Sequence, residues 1–155
     1  MRQLTGLFAL VLLSLSTAAL TNDEFADGRA MIQAARQEMF RAELHMTDEE
    51  AEKFWPIYST YREEYDGVMR RYGDMITDYV RRYNDADLSD EYADEMLKSY
   101  FGIKEELLHV QQRYLPELHA ILPALKVARF YQLENKFNAE IDAQLARAVP
   151  LIDPS

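Results

Sequence analysis

Six tyrosines crowd one stretch of this chain: Tyr58, Tyr61, Tyr65, Tyr72, Tyr79 and Tyr83. A tyrosine ring offers a broad apolar face and a polar tip, which suits a half-wetted surface. Two readings follow. In one, the rings pack between helices and their hydroxyls reach solvent, as an aromatic stripe at heptad spacing usually does. In the other, part of the stripe is an open surface for unfolded or exposed segments. Tyr58, Tyr61, Tyr65, Val68, Met69, Tyr72 and Met75 then form the client- or partner-binding face. Rigid aromatics beside flexible methionines suit promiscuous contact.

Metal chemistry is the rival. The histidines are His45, His109 and His119. Glu105 and His109 stand four residues apart, share a helical face and supply candidate ligands. There is no His-Glu-x-x-His motif and no cysteine. A metal-responsive sensor or metal-binding protein is the alternative these residues support. Enzyme chemistry finds no foothold. The chain has no glycine-rich phosphate loop and no nucleophile elbow, and no carboxylate pair is marked out by an apolar setting. We therefore read a non-enzyme that needs no cofactor. Basic residues cluster at Arg70-Arg71 and Arg81-Arg82. Arg70 and Arg71 sit beside acidic neighbours and read as solvated helix-face pairs, with contact to an acidic partner as the alternative.

The elements that must carry these residues are helices. Glycine is rare and period-2 patterns of β-branched residues are nearly absent. A first helix is expected from Asp27 to Glu43, with Met31, Ile32, Ala35, Met39 and Phe40 on its apolar side. The second has the clearest start: Thr47 caps it, and Glu50 reaches back in a capping box. Its seam of Phe54, Tyr58, Tyr61, Tyr65, Val68, Tyr72, Met75 and Tyr79 alternates steps of four and three. It ends near Tyr83, and Pro56 falls in its first turns. After the polar break Asn84-Asp85-Ala86-Asp87, Ser89 caps a third helix with seam residues Ala93, Met96, Tyr100, Ile103, Leu107, Val110 and Tyr114. Pro116 should bend or end it. Pro123 suits the first position of a fourth helix, which ends before Pro150. Two long helices joined by a short loop pack antiparallel. The expected fold is all-α: an extended antiparallel helical hairpin with flanking N- and C-terminal helices.

The N-terminus reads as a secretory signal peptide. One positive charge at Arg2 precedes an apolar run from Leu4 to Leu15, then small residues, with cleavage placed after Ala19. The run is too short to span a bilayer as an anchor. The expected organisation is a signal peptide over 1–19, a flexible lead-in over 20–26, one α-helical domain over 27–149 and a tail over 150–155. Losing Arg2 takes the net charge from −10 to −11. Such a surface is a poor match for nucleic acid, whose binding rests on Lys and Arg. Stable membrane insertion is not expected.

Three helix starts share a layout of apolar residue, helix-starting residue and a seam residue two turns on: Met46-Thr47 with Phe54, Leu88-Ser89 with Met96, and Leu122-Pro123 with Phe130. Here the chain resembles the Spy/CpxP family of periplasmic helical proteins, which carries a Leu-Thr-x-x-Gln motif, usually twice. The first copy would be Met46-Thr47-Asp48-Glu49-Glu50, with Glu keeping the capping chemistry of Gln. The second, Leu122-Pro123-Ala124-Leu125-Lys126, lacks both Thr and Gln. The stretches Ala51–Tyr58 and Ala128–Lys136 also look like those of short bacterial relatives. The resemblance implies a periplasmic, curved α-helical homodimer. As a chaperone-like or envelope-stress protein, it would bind partly unfolded envelope proteins or a stress sensor without ATP. The acidic balance departs from the basic client surfaces associated with Spy-like chaperones.

Overall fold

The computed structural model describes residues 22–153, with side chains from Met31 onward. The expected signal peptide and the last two residues of the tail lie outside the described residues. Four helices are present: α1 (Asn22–Glu43), α2 (Asp48–Asn84), α3 (Asp90–Ile121) and α4 (Ala124–Ala148). No strand occurs among the described residues. The chain divides into two compact units, one ending at Glu43 and one beginning at Leu44.

The first unit contributes α1. It starts at Asn22, five residues before the expected Asp27, so the lead-in over 20–26 is mostly helical. Asn22, Asp23 and Glu24 are residue types that favour a helix start, and one interior glycine costs only about 1 kcal/mol. Met31, expected on the apolar side, is exposed.

In the second unit α2 opens as anticipated. The Thr47 hydroxyl accepts from the Glu50 N–H at 3.2 Å, and the Thr47 N–H donates to the Glu50 carboxylate at 2.8 Å. At 37 residues α2 extends for about 55 Å. It runs through Pro56, because the carbonyl that loses a partner belongs to exposed Glu52 and can be hydrated. Likewise α3 does not end at Pro116, one of the two outcomes expected there. Gln112, whose carbonyl is orphaned, is exposed, and buried Leu118 holds the turn beyond. Pro123 is the cap of α4 rather than its first residue; its carbonyl accepts from Lys126 and Val127.

The α2–α3 turn is a Schellman motif. Asp87 donates to the Arg82 carbonyl at 2.9 Å and Ala86 to the Tyr83 carbonyl at 3.3 Å. Ala86 takes the left-handed conformation, φ 54°, that glycine usually fills there.

Packing follows the seams. Contacts between α2 and α3 run in opposite order along the two helices: Glu64 meets Arg113 and Tyr114, Arg71 meets Glu106, Tyr72 meets Tyr100, and Arg82 meets Tyr92. Those of α2 with α4 and the residues just after it run in the same order: Phe54 with Phe130, Tyr61 with Glu134, Tyr65 with Asn138, and Tyr79 with Pro150. The core between them holds Phe54, Tyr61, Val110, Leu118, Val127 and Phe130. Among the described residues, no helix is long and apolar enough to cross a membrane.

Candidate functional site

The tyrosine stripe divides in two. Tyr58, Tyr61, Tyr65 and Val68 are each at most 5% exposed, so this half of the expected binding face is core. Helix α4 explains it. Its seam lies over that part of α2 and takes the hydroxyls: Tyr61 donates to Glu134 at 3.3 Å, and Asn138 donates to Tyr65 at 2.9 Å. The rings pack on one another and on Phe130, with centroids 5.7–6.4 Å apart. Met69, Tyr72 and Met75 are half-buried and remain reachable.

Tyr72 and Met75 line a groove of about 710 Å³ with Ile76, Tyr79, Met96, Tyr100, Lys104, Asp142 and residues of the C-terminal end, Leu145 to Ile152. The end is tied in place by the Tyr79 hydroxyl, which donates to the Pro150 carbonyl at 2.8 Å. A second groove of about 530 Å³ shares Met75 and Met96 and adds the charged rim of Arg71, Asp78, Glu95 and Glu106. The two methionines thus line both grooves.

Helix α3 also carries an apolar stripe that leaves the core. Leu97, Phe101, Leu108 and Leu115 are 38–65% exposed. Their spacing of four, seven and seven places them within about 40° of one another on a helix of 3.6 residues per turn. Each follows a seam residue directly: Met96, Tyr100, Leu107 and Tyr114. The Phe101 ring contacts that of Tyr100 at 5.3 Å, so the stripe continues from the groove wall. Several exposed apolar residues in one line mark a contact surface more strongly than scattered ones.

Sequence reasoning also missed a buried ionic cluster. Glu134 is fully buried and Arg62 is 8% exposed. The Arg62 guanidinium donates to Glu134 at 3.2 Å, pairs with Asp66 and stands over the Tyr65 ring at 4.8 Å. Burial first, and then the Glu134 carboxylate, push the Tyr61 hydroxyl well above the ordinary phenol range.

The two stretches expected to be motif copies meet in space. Lys126, fifth in Leu122–Lys126, donates to Glu50, fifth in Met46–Glu50, at 2.6 Å, and to the His45 carbonyl at 2.8 Å. Glu50 therefore ties α2 to α4 as well as completing with Thr47 the cap that starts α2. Glu105 and His109 are both exposed. Among the described residues no group of three or more His, Asp or Glu gathers in metal-binding geometry. Arg71, Arg81 and Arg82 do pair with carboxylates: Arg71 with Glu106, Arg81 with Asp78 and Asp85, and Arg82 with Asp78 and Asp87.

The tyrosines give the unit an alkaline limit. Burial, and then its hydrogen bond to Glu64 at 2.7 Å, push the Tyr114 hydroxyl up to about 12. Burial and the Glu134 carboxylate also push Tyr131 to about 12. A phenol whose native pKa lies above its unfolded value near 10 binds its proton more tightly when folded. Its contribution is complete below pH 10 and is lost as pH rises through about 12. Urea midpoints should fall over this range, and Tyr114→Phe should flatten the fall in part. A midpoint independent of pH there would contradict the assignment.

Comparison with protein-family models, curated proteins and solved structures gives no match.

Proposed function

We propose that this chain is an exported, Spy/CpxP-like interaction protein that holds apolar segments of partly unfolded envelope proteins, or of a stress sensor, without ATP. In this reading it has no catalytic role. It works in the periplasm as a homodimer, with α2 and α3 forming an extended antiparallel hairpin. The observation that carries the reading is the exposed stripe Leu97, Phe101, Leu108 and Leu115 and its continuation into the Tyr72–Tyr100 groove. A row of exposed apolar side chains contributes nothing to the folded chain itself, but contributes to binding wherever a partner removes it from water. The site thus shifts from the α2 tyrosine stripe to α3. Of the originally expected face, Met69, Tyr72 and Met75 remain accessible to a partner.

The test is aggregation of a chemically denatured client with the mature chain at near-stoichiometric ratio. Wild type should suppress light scattering. A variant carrying Leu97→Ser, Phe101→Ser, Leu108→Ser and Leu115→Ser should lose most of that suppression while keeping its helix content and urea midpoint. Full suppression by the folded quadruple variant would end the proposal. Repeating the assay across ionic strength shows whether the acidic net charge takes part, since salt screens exposed charges.

A further inference from the structure

Lys104 of α3 holds its ammonium 4.8 Å from the centre of the Tyr72 ring and 5.5 Å from that of Tyr100. The rings are 6.2 Å apart and tilted by 48°. Asp142 of α4 places a carboxylate oxygen 3.9 Å from the same ammonium. Two aromatic faces and an anion converging on one point form an ammonium site by their chemistry, because ring quadrupoles and the carboxylate all attract a cation. This site opens into the 710 Å³ groove, whose further walls include Met75, Ile76, Met96, Leu145 and Val149. Burial, with the Asp142 charge behind it, raises the Tyr72 hydroxyl, so that ring stays neutral.

We propose that the groove takes an extended apolar segment bearing a lysine, whose ammonium replaces that of Lys104 between Tyr72, Tyr100 and Asp142. The proposal rests on the interaction reading above and names the class of segment that this part of the surface selects. Three observations carry it. The cage is shown to accept an ammonium, since it holds one of its own. The Lys104–Asp142 pair is long and partly wet, with side chains 35% and 53% exposed, so exchanging it for water costs little. Lysine also has a flexible four-carbon stem that can swing clear. Finally, a chain of net charge −10 attracts cationic segments, and Asp142 remains to receive one. The apolar neighbours of the incoming lysine then fill the groove, whose volume is in the usual range for ligand sites. In the free chain Lys104 competes for the cage and lowers the apparent affinity by the fraction of time it stays.

The test uses two fluorescent peptides of Leu and Ala with blocked ends, one with a central lysine and one with acetyl-lysine, titrated with the mature chain by anisotropy. Acetylation removes the charge and keeps the stem. The lysine peptide should bind about five-fold tighter or more. Lys104→Gln should tighten the lysine peptide several-fold and leave its twin nearly unchanged; a gain of this kind cannot come from misfolding. Tyr100→Leu with Asp142→Asn should bring the two peptides together. Equal binding of both peptides to wild type overturns the cage. So does discrimination that survives in the double variant, which would trace it to overall charge. If client protection persists in either case, the interaction reading stands without the cage. If neither peptide binds and no client is protected, both fall.

Discussion

Glu134→Ala is expected to lower the free energy of unfolding by about 3–5 kcal/mol. Glu134 is fully buried and accepts from Arg62 and Tyr61. Removing it leaves the Arg62 guanidinium, 10% exposed at its side chain, facing the core with Asp66 as its remaining paired carboxylate among the described residues. A buried charge stripped of its counter-ion is among the most costly changes a fold can suffer, whereas replacing both members by apolar residues is often neutral or stabilising. The double variant Arg62→Met with Glu134→Leu should therefore recover most of the loss. Urea unfolding followed by circular dichroism measures both. A loss below about 1 kcal/mol for Glu134→Ala would place the pair with ordinary surface bridges and refute its role in joining α2 to α4.

The second large effect belongs to Phe130. It is 1% exposed, and its ring lies 5.7–6.3 Å from those of Phe54, Tyr58 and Tyr61 and 5.0 Å from that of Tyr131. Phe130→Ala removes transfer energy and leaves a cavity that several rigid rings cannot close, so about 3–5 kcal/mol should be lost. Tyr83→Ala, at a ring 37% exposed, is the control and should stay within about 0.5 kcal/mol. If the two variants unfold at similar urea concentrations, Phe130 is not the centre of this core. The Glu134 and Phe130 effects should not add, since both sites touch Tyr61.

Much of the second unit was legible in the sequence because its signals are local. The Thr47–Glu50 capping box, the Ser89 cap and the polar turn after Tyr83 each depend on residues a few positions apart. The seam tyrosines were legible as a stripe, but not as core or surface. That outcome depends on α4, about 72 positions further along, and heptad spacing says nothing about a third helix. Pro116 was ambiguous for a similar reason. Whether Pro116 ends α3 depends on whether the orphaned carbonyl reaches water, which is a property of the packed fold. Two signals were present and unread. Arg62 stands four residues after Tyr58 and three before Tyr65, and Glu134 stands likewise between Phe130 and Phe137. Opposite charges at core positions of two apolar faces foretell a buried pair. The exposed α3 stripe was equally visible, one residue out of phase with the seam.

The parallel order of the α2–α4 contacts has a kinetic consequence. The turn joining α2 to α3 brings Arg82 and Tyr92 together across a short loop. The contacts of α2 with α4 and with the residues just after it, from Lys126 on Glu50 to Pro150 on Tyr79, each close a loop of about 70 residues. Long loops cost more entropy to close and set a slower clock than local ones. The α2–α4 contacts are thus expected to form after the α2–α3 turn, and until they do Tyr61 and Tyr65 lack the cover of Phe130, Glu134 and Asn138. A nascent copy of this chain passes through the state it is proposed to recognise in others.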